Sequence, residues 1–408
     1  MEAALKRQRP VGILILLAFT GLVALGGGWS LMFYAAWALA FLLVIAYGLS
    51  FIGLRALYFE RKTRALRAEV GSYFDERIIV ENRSWIPKLW LEFEDQGQHP
   101  EHTASFVVSL GPYGRFVRPV HTLCRQRGVF QLGPVFVESG DPFGLFRQRR
   151  QIDGVSTLVV YPVALPLGSF GRVDGDLTGG ALQGERVPHT TTNVSGIREY
   201  APGDTFNRIH WKSTARQRTL MVKEFELDPF ADIWLVLDMD ERTMAGTGVE
   251  SVEEYAVTIC ATLAKYFLDE NRAVGLAAPG LLLSPDRGTR QILKILEVLA
   301  FVRPARNMPL AELLVAEQRR FSRTDTVVVV TGSRDDDWIQ LLRSMNVRGV
   351  HSQTVLIESS TYARGVSSSL PVISGLAGAR IPTYVVKRGE SIQKALAAPV
   401  VGGRGALV

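Results

Sequence analysis

Two long stretches without a single charged residue open the chain, from Val11 to about Gly27 and from Trp29 to about Leu54. Each approaches or exceeds the ~20 apolar residues that a helix needs to cross a bilayer core. Only the Gly26-Gly27-Gly28-Trp29-Ser30 segment separates their cores, which suits a tight turn with Trp29 at the membrane interface. The pattern therefore predicts two N-terminal transmembrane helices, forming a hairpin over 11–54. Lys6, Arg7 and Arg9 precede the first stretch, and Arg55, Arg61, Lys62, Arg64 and Arg67 follow the second. By the positive-inside rule both flanks belong on the cytosolic side of a cell inner membrane. Residues 1–10 then form a basic cytosolic N-terminus, 55–69 a basic juxtamembrane linker, and both termini and the body are cytosolic. A cleaved signal peptide is the rival reading, and the second apolar run directly after the first fits it poorly.

The pattern changes after the linker. From 70 to 165 the chain alternates short runs of β-branched and aromatic residues, such as Arg77–Val80, Trp90–Phe93 and Ser105–Ser109, with Gly, Pro, Asn and Asp. This spacing predicts an antiparallel β-sandwich, in which Gly128–Val137 is a strand pair broken by a Gly-Pro turn. Residues 166–230 comprise a Thr/Gly-rich loop of low periodicity and a polar motif. From 231 to 408 apolar strands at 233–237, 273–277, 327–330, 353–357 and 383–386 alternate with helical stretches at 252–268, 289–301, 310–320, 338–345 and 391–397. That alternation predicts a doubly wound, Rossmann-like α/β domain with a mostly parallel sheet covered on both faces.

Composition narrows the function. The chain has 408 residues, too many for one core, so more than one domain is expected. A net charge of +6 is modest for this length and is not gathered into one basic tract, so no nucleic-acid partner is expected. Cys124 and Cys260 are far apart and lack Cys-x-x-Cys or Cys/His spacing, which argues against a zinc site or disulfide framework and for a reducing compartment. The sequence contains no phosphate-binding Gly-x-x-x-x-Gly-Lys-Ser/Thr loop, no Gly-x-Ser-x-Gly elbow and no His-Glu-x-x-His. The body does not read as an enzyme. His99 and His102 are a close His pair, but Pro100 between them disfavours a helical metal pair, and a solvated loop is expected there.

Candidate chemistry falls in two places. Arg198, Glu199, Tyr200, Gly203, Asp204, Arg208, His210, Trp211, Lys212 and Arg216 form the densest polar constellation. Its arginines suit bidentate binding of carboxylate or phosphate, and Tyr200 and Trp211 suit a partner surface. Alternatively the charges pair with one another and pin the segment between two domains, or the Arg/Asp/His cluster at 198–216 serves a membrane-associated hydrolase or transferase. The second place is Asp238 and Asp240, at the end of the first strand of the α/β domain, where ligands of such sheets bind. With oxygens from Thr289 and Asp335 they would offer a hard cation such as Mg²⁺ a site; an ordinary acidic loop capping the next helix is the alternative. No other cofactor is expected.

The run Gly196-Ile-Arg-Glu-Tyr-Ala-Pro-Gly-Asp204, continuing through Arg208-Ile-His-Trp-Lys-Ser-Thr-Ala-Arg216 to Val222-Lys-Glu-Phe-Glu226, resembles the signature of the domain of unknown function 58 family. Arg127–Pro134 and Asp141-Pro-Phe-Gly-Leu-Phe146 are similar to its other recurring elements, and the helix pair suits its membrane-bound members. The resemblance implies a C-terminal domain of the von Willebrand factor type A kind, and association with MoxR-type AAA+ ATPases and transglutaminase-like membrane proteins. It carries no catalytic activity. In that fold an Asp-x-Ser-x-Ser motif binds a cation; the matching positions here are Asp238, Asp240 and Arg242. Arg242 is then expected to stand in the cation's place by pairing with Asp238. The resulting expectation is a membrane-anchored adaptor rather than an enzyme or an extracellular adhesion module.

Overall fold

In the first unit, Met1–Val163, the two charge-free stretches form helices α1 (Arg9–Gly27) and α2 (Ser30–Gly53). The computed structural model describes residues 9–27, 29–152, 154–170, 190–201, 209–227, 231–306, 308–363 and 365–401. Of the two helices, Ser30–Gly53 is long and apolar enough to cross a membrane, and the apolar part of the other, Val11–Gly27, is shorter. Most large apolar side chains of α2 are exposed, while Leu43, Ala46, Ser50 and Gly53 form a buried stripe. That spacing is the helical repeat of one face, here ending in small residues that permit close approach.

The strands that follow are β1 (Leu57–Thr63), β2 (Arg67–Glu69), β3 (Tyr73–Asn82), β4 (Lys88–Asp95), β5 (Phe106–Leu110), β6 (Arg115–Leu123), β7 (Gly128–Leu132), β8 (Val135–Gly140), β9 (Arg147–Ile152) and β10 (Ser156–Tyr161). They build sheets of order β1-β3-β6, β5-β4-β8-β9 and β2-β10-β7. The first two face each other across one core: Ile78, Val80 and Val120 of one sheet pack with Leu91, Phe93, Phe106, Val135 and Val137 of the other. Alternate residues of β3 and β8 are buried, as the period of a half-buried strand requires. The expected pairing within Gly128–Val137 does not occur. β7 and β8 join different sheets, so the Gly133-Pro134 turn carries the chain from one sheet to another instead of folding a hairpin.

The second unit is Ala164–Val408. β11 (Thr190–Glu199) and β12 (Met221–Leu227) form an antiparallel ribbon with the short helix α3 (Trp211–Gln217) between them. The α/β part then runs β13 (Ile233–Leu237), α4 (Val252–Asp269), β14 (Val274–Ala278), β15 (Leu281–Asp286), α5 (Thr289–Phe301), α6 (Leu310–Glu317), β16 (Thr326–Thr331), α7 (Asp337–Val347), β17 (His351–Ile357), α8 (Leu370–Gly378), β18 (Thr383–Val386) and α9 (Ile392–Ala397). The sheet order is β15-β14-β13-β16-β17-β18, parallel except for the antiparallel edge strand β15. Ile233, Leu235 and Leu237 face one core with residues of α4, α5 and α9. Trp234 and Val236 face the other, with residues of α6, α7 and α8. Two covered faces explain why these strands read as continuous apolar runs.

Helix α4 starts where its sequence dictates. The Ser251 hydroxyl accepts from the Glu254 amide at 3.3 Å, the serine half of a capping box. β15 and α8 were not anticipated; β15 carries Pro285 and Asp286, and as an edge strand it needs no second ladder. Gly275 in β14 is fixed by its neighbours: a Cβ there would lie 2.9 Å from the Trp234 ring and 3.0 Å from the Leu283 carbonyl oxygen. Gly275→Ala is expected to destabilise the second unit by about 1–3 kcal/mol through overpacking, read as a lower midpoint in urea with unchanged slope.

Candidate functional site

The chain winds outward from β13 in both directions. The connection after β13 leads to β14 on one side, and the chain later returns to β16 on the other. Ligand crevices in open α/β sheets lie at such a switch point, beyond the carboxyl ends of the two strands. Asp238 follows β13 there, and Thr331 ends β16 beside it.

Asp238 is buried, and its Oδ2 accepts a 2.6 Å hydrogen bond from the Thr331 hydroxyl. Its Oδ1 accepts from the Asp240 amide at 3.0 Å, and Thr331 Oγ1 in turn accepts from the Ser333 amide at 2.8 Å. Burial pushes the Asp238 carboxyl up to about 6; the bonds from Thr331 and Asp240 N–H oppose this and the Asp240 charge adds to it. Asp240, also buried, is held the other way. Arg242 grips it as a fork, Nη2 to Oδ2 at 2.6 Å and Nε to Oδ1 and Oδ2 at 3.2 and 3.0 Å, while the Arg242 amide donates to Oδ1 at 3.1 Å. Those bonds, led by the side-chain contacts of Arg242, hold the Asp240 carboxyl below its usual range.

The expected partner of Arg242 was Asp238; the structure gives it Asp240. Asp240 caps the short turn Glu241–Thr243, its carboxylate accepting from the Arg242 amide, and this capping position brings the Arg242 side chain onto the same carboxylate. Asp335 lies at the same end of the sheet, where its amide donates to Ser333 Oγ at 3.2 Å, and its charge reaches Arg242. Thr289 does not join them. β15 runs antiparallel to β14, with Asp286 beside Val274 at the start of that strand, so α5 begins at the opposite end of the sheet from Asp238. The residues expected to hold Mg²⁺ are not all brought together: Arg242 grips the Asp240 carboxylate through its guanidinium and its amide, and Thr289 lies at the other end of the sheet. Thr331 and Ser333 were missed in the sequence, where the only available signal was a hydroxyl at the end of an apolar strand.

The other predicted cluster is built on the β11–β12 ribbon. Tyr200 N–H donates to the Leu220 carbonyl at 2.8 Å, and His210 N–H to Met221 O at 2.8 Å. His210 caps α3: its Nδ1 accepts from the Ser213 amide at 3.2 Å and lies 2.8 Å from the Ser213 hydroxyl. Trp211, Lys212 and Arg216 are exposed on α3, and Glu199 is exposed on β11. Arg198 lies opposite Val222 in the ribbon. Gly203, Asp204 and Arg208, like the side chain of Arg198, lie outside the described residues.

A third polar cluster was not foreseen. Arg61 on β1, Glu76 on β3, Asp95 at the end of β4 and His102 in the loop before β5 meet inside the first unit, their side chains at most 5% exposed. Arg61 pairs with Asp95 and lies 3.4 Å from Glu76. His102 Nε2 lies 3.0 Å from Asp95 Oδ2 and 3.4 Å from Glu76 Oε1, and its Nδ1 is 3.0 Å from Thr122 Oγ1. Asp95 also accepts from the Gly97 and Gly133 amides, both at 3.0 Å. Burial raises the Asp95 carboxyl, but the His102 bond and the Arg61 charge outweigh it and hold the group low. Glu76, whose oxygens make no hydrogen bond among the described residues, is raised by burial against the pull of Arg61 and His102. The three ligand-type residues are close enough to share a cation, yet Arg61 already supplies positive charge between both acids. The expected solvated loop at His99 and His102 is thus an inward-facing one, since His99 is buried against Phe130 as well.

Known proteins similar to this chain are distant. Uncharacterized protein YeaD of Bacillus subtilis is 23% identical over 327 residues, covering 76% of this chain and 79% of that protein. Among solved structures, the CARDB domain of the PF1109 protein from Pyrococcus furiosus covers 26% of this chain and 87% of its own at 18% identity, with a TM-score of 0.20. A PapD-like domain of human CEP192 covers 26% of this chain and 84% of its own at 13% identity, with a TM-score of 0.18. Scores of this size assign no fold. The model of the family described as Protein of unknown function DUF58 matches residues 196–357 of this chain, from the β11 strand to the end of β17.

Proposed function

We propose that this chain is a membrane-anchored, cytosolic protein-binding module of the inner membrane, serving as an adaptor for a MoxR-type AAA+ ATPase or an envelope-assembly complex that includes a transglutaminase-like membrane protein. The observation that carries this reading is the Asp238–Asp240–Arg242 arrangement at the switch point. It occupies the place where an α/β sheet presents its ligand site, and it offers a clamped ion pair with an exposed guanidinium rather than a nucleophile with a base. The sheet order, with one antiparallel edge strand beside a parallel core, supports a von Willebrand factor type A-like domain. In this reading Arg242 does the work of the cation of such domains, so partner binding is metal-independent. The apolar helix Ser30–Gly53 and its shorter neighbour are read as the membrane hairpin. The hydrolase or transferase alternative gains nothing from His210, whose Nδ1 is spent on capping α3.

The test is affinity purification of the full chain from membranes. Recovery of a MoxR-type ATPase that is lost on Arg242→Glu is the expected result; a preparation that preserves known membrane complexes and recovers none would sink the reading. Calorimetric titration of the full chain with Mg²⁺ separates the metal question. No saturable heat is expected, whereas saturable binding abolished by Asp238→Ala would restore a cation to the site.

A further inference from the structure

The Asp141-Pro-Phe-Gly-Leu-Phe146 element belongs to none of the clusters described above. Asp141 is buried and holds the turn rigid: Oδ2 accepts from the Phe143 amide at 2.9 Å and Oδ1 from the Phe146 amide at 2.6 Å, while its carbonyl accepts from Gly144 at 3.0 Å. An acid spent inside the turn leaves Phe143 at the tip, 57% exposed. The turn does not hang free. Phe146 meets the ring of Tyr47 on α2 edge-on at 5.6 Å, about 9 Å up the helix from its end at Gly53 for a rise of ~1.5 Å per residue.

The same end of the unit is locked to α2 by polar contacts. The buried Lys88 ammonium donates to the Ile52 carbonyl at 2.7 Å, which also accepts from the Arg55 amide at 3.0 Å just past the helix end. Ser50 Oγ reaches the Ser139 carbonyl at 3.5 Å. Gly53 abuts Ser139 so closely that a Cβ there would clash with the Ser139 hydroxyl. Trp85 and Leu89, 72% and 58% exposed, flank Pro87 on this end, and Leu89, Pro87 and Pro142 share a small pocket with Leu49 and Ile52 of α2. Arg55, which follows α2, Arg83 and Arg147 each set the guanidinium over an aromatic ring at 4.4, 3.8 and 5.0 Å, and Arg83 and Arg147 also lie 3.7 and 3.1 Å from Glu81 and Glu138.

We propose that the Asp141–Phe146 turn, with Trp85 and Leu89, is a foot that sits in the boundary between lipid headgroups and acyl chains beside the last turns of α2. The inference rests on the membrane-anchored reading above and says what the soluble face of the anchor touches. If α2 crosses the bilayer, a turn packed against it at the height of Tyr47 enters the interface. Its apolar tip belongs there, as aromatic rings do at membrane–water boundaries. The arginines match anionic headgroups, with their stems and ring contacts on the apolar side.

The experiment uses the full chain in vesicles of phosphatidylethanolamine and phosphatidylglycerol. Cys124 and Cys260 are both buried, so a single surface cysteine can be labelled with a polarity-sensitive fluorophore. Phe143→Cys, Leu89→Cys and Trp85→Cys report on the foot, and Val44→Cys on α2. Val155→Cys reports on the far end: it lies next to Gly133, whose amide donates to Asp95 at the end of β4 away from Lys88, about 23 Å along that strand at ~3.3 Å per residue. The foot probes are expected to show blue-shifted emission quenched by brominated lipid, less than Val44 and far more than Val155. Quenching of Val44 with foot probes indistinguishable from Val155 overturns the foot and leaves the anchor. Foot probes shielded from water yet unquenched by brominated lipid also overturn it, because protein then covers the face. An unquenched Val44 overturns the membrane-anchored reading itself.

Discussion

Arg61→Met is expected to destabilise the first unit by about 3–5 kcal/mol, the range found when one partner is removed from a buried ion pair. The guanidinium supplies the positive charge between Glu76 and Asp95. Methionine keeps much of the stem volume and leaves two buried carboxylates near one imidazole. Hydrogen exchange localises the effect: amides of β1, β3 and β4 should exchange about two to four orders of magnitude faster, while β13 and β16 in the other unit stay unchanged. A second substitution checks the cause. Arg61→Met combined with Glu76→Gln removes one of the two orphaned negative charges and should recover part of the loss. A loss below about 1 kcal/mol for Arg61→Met would mean that the cluster behaves as a solvated surface network.

The second large effect is a pH dependence centred on Asp238. Its carboxyl is at about 6 in the folded protein against a reference of 3.8, so the folded state favours the protonated form. For an acid raised in this way the cost of ionisation is absent below the reference value and complete above the folded one. Stability of the second unit therefore falls as pH rises through this window, by up to about 3 kcal/mol at 1.36 kcal/mol per unit. Asp238→Asn should flatten the dependence: its Oδ1 accepts from the Asp240 amide and its Nδ2 donates to Thr331. The variant is expected to match the parent near about pH 4 and to exceed it in stability near about pH 8, seen in urea unfolding of the full chain. Equal stabilities at both pH values would show that Asp238 is hydrated in solution. Asp240 titrates in a separate, more acidic window because Arg242 holds it ionised.

The candidate sites were legible in unequal measure. Asp238 could be placed from sequence because an apolar run of five residues that ends in an acid reads as a buried strand meeting a loop. Its partner Thr331 could not, since nothing local distinguishes that hydroxyl from others and it lies 93 residues away. Thr289 failed for a related reason. Its place depends on the direction of β15, a short edge strand whose run of three leucines is broken by Ser284 and Pro285, so that nothing local says which way it pairs. His210 looked like chemistry because it stands among arginines, but a His followed three residues later by Ser also suits a helix cap, and that is the role the fold gives it.

Local pattern was sufficient for whatever depends on which faces of a segment are apolar. The N-terminal charge-free helices, the short strands of the first unit and the strand–helix alternation from β13 onward all follow from hydrophobic period and run length, because burial acts on each segment separately. What only the tertiary structure decided is which segments meet: β7 and β8 in different sheets, Arg242 on Asp240, and Arg61, Glu76, Asp95 and His102 in one buried cluster. Those contacts join residues far apart in sequence or turn on a single backbone angle, and their energies depend on a desolvated environment that no isolated segment possesses.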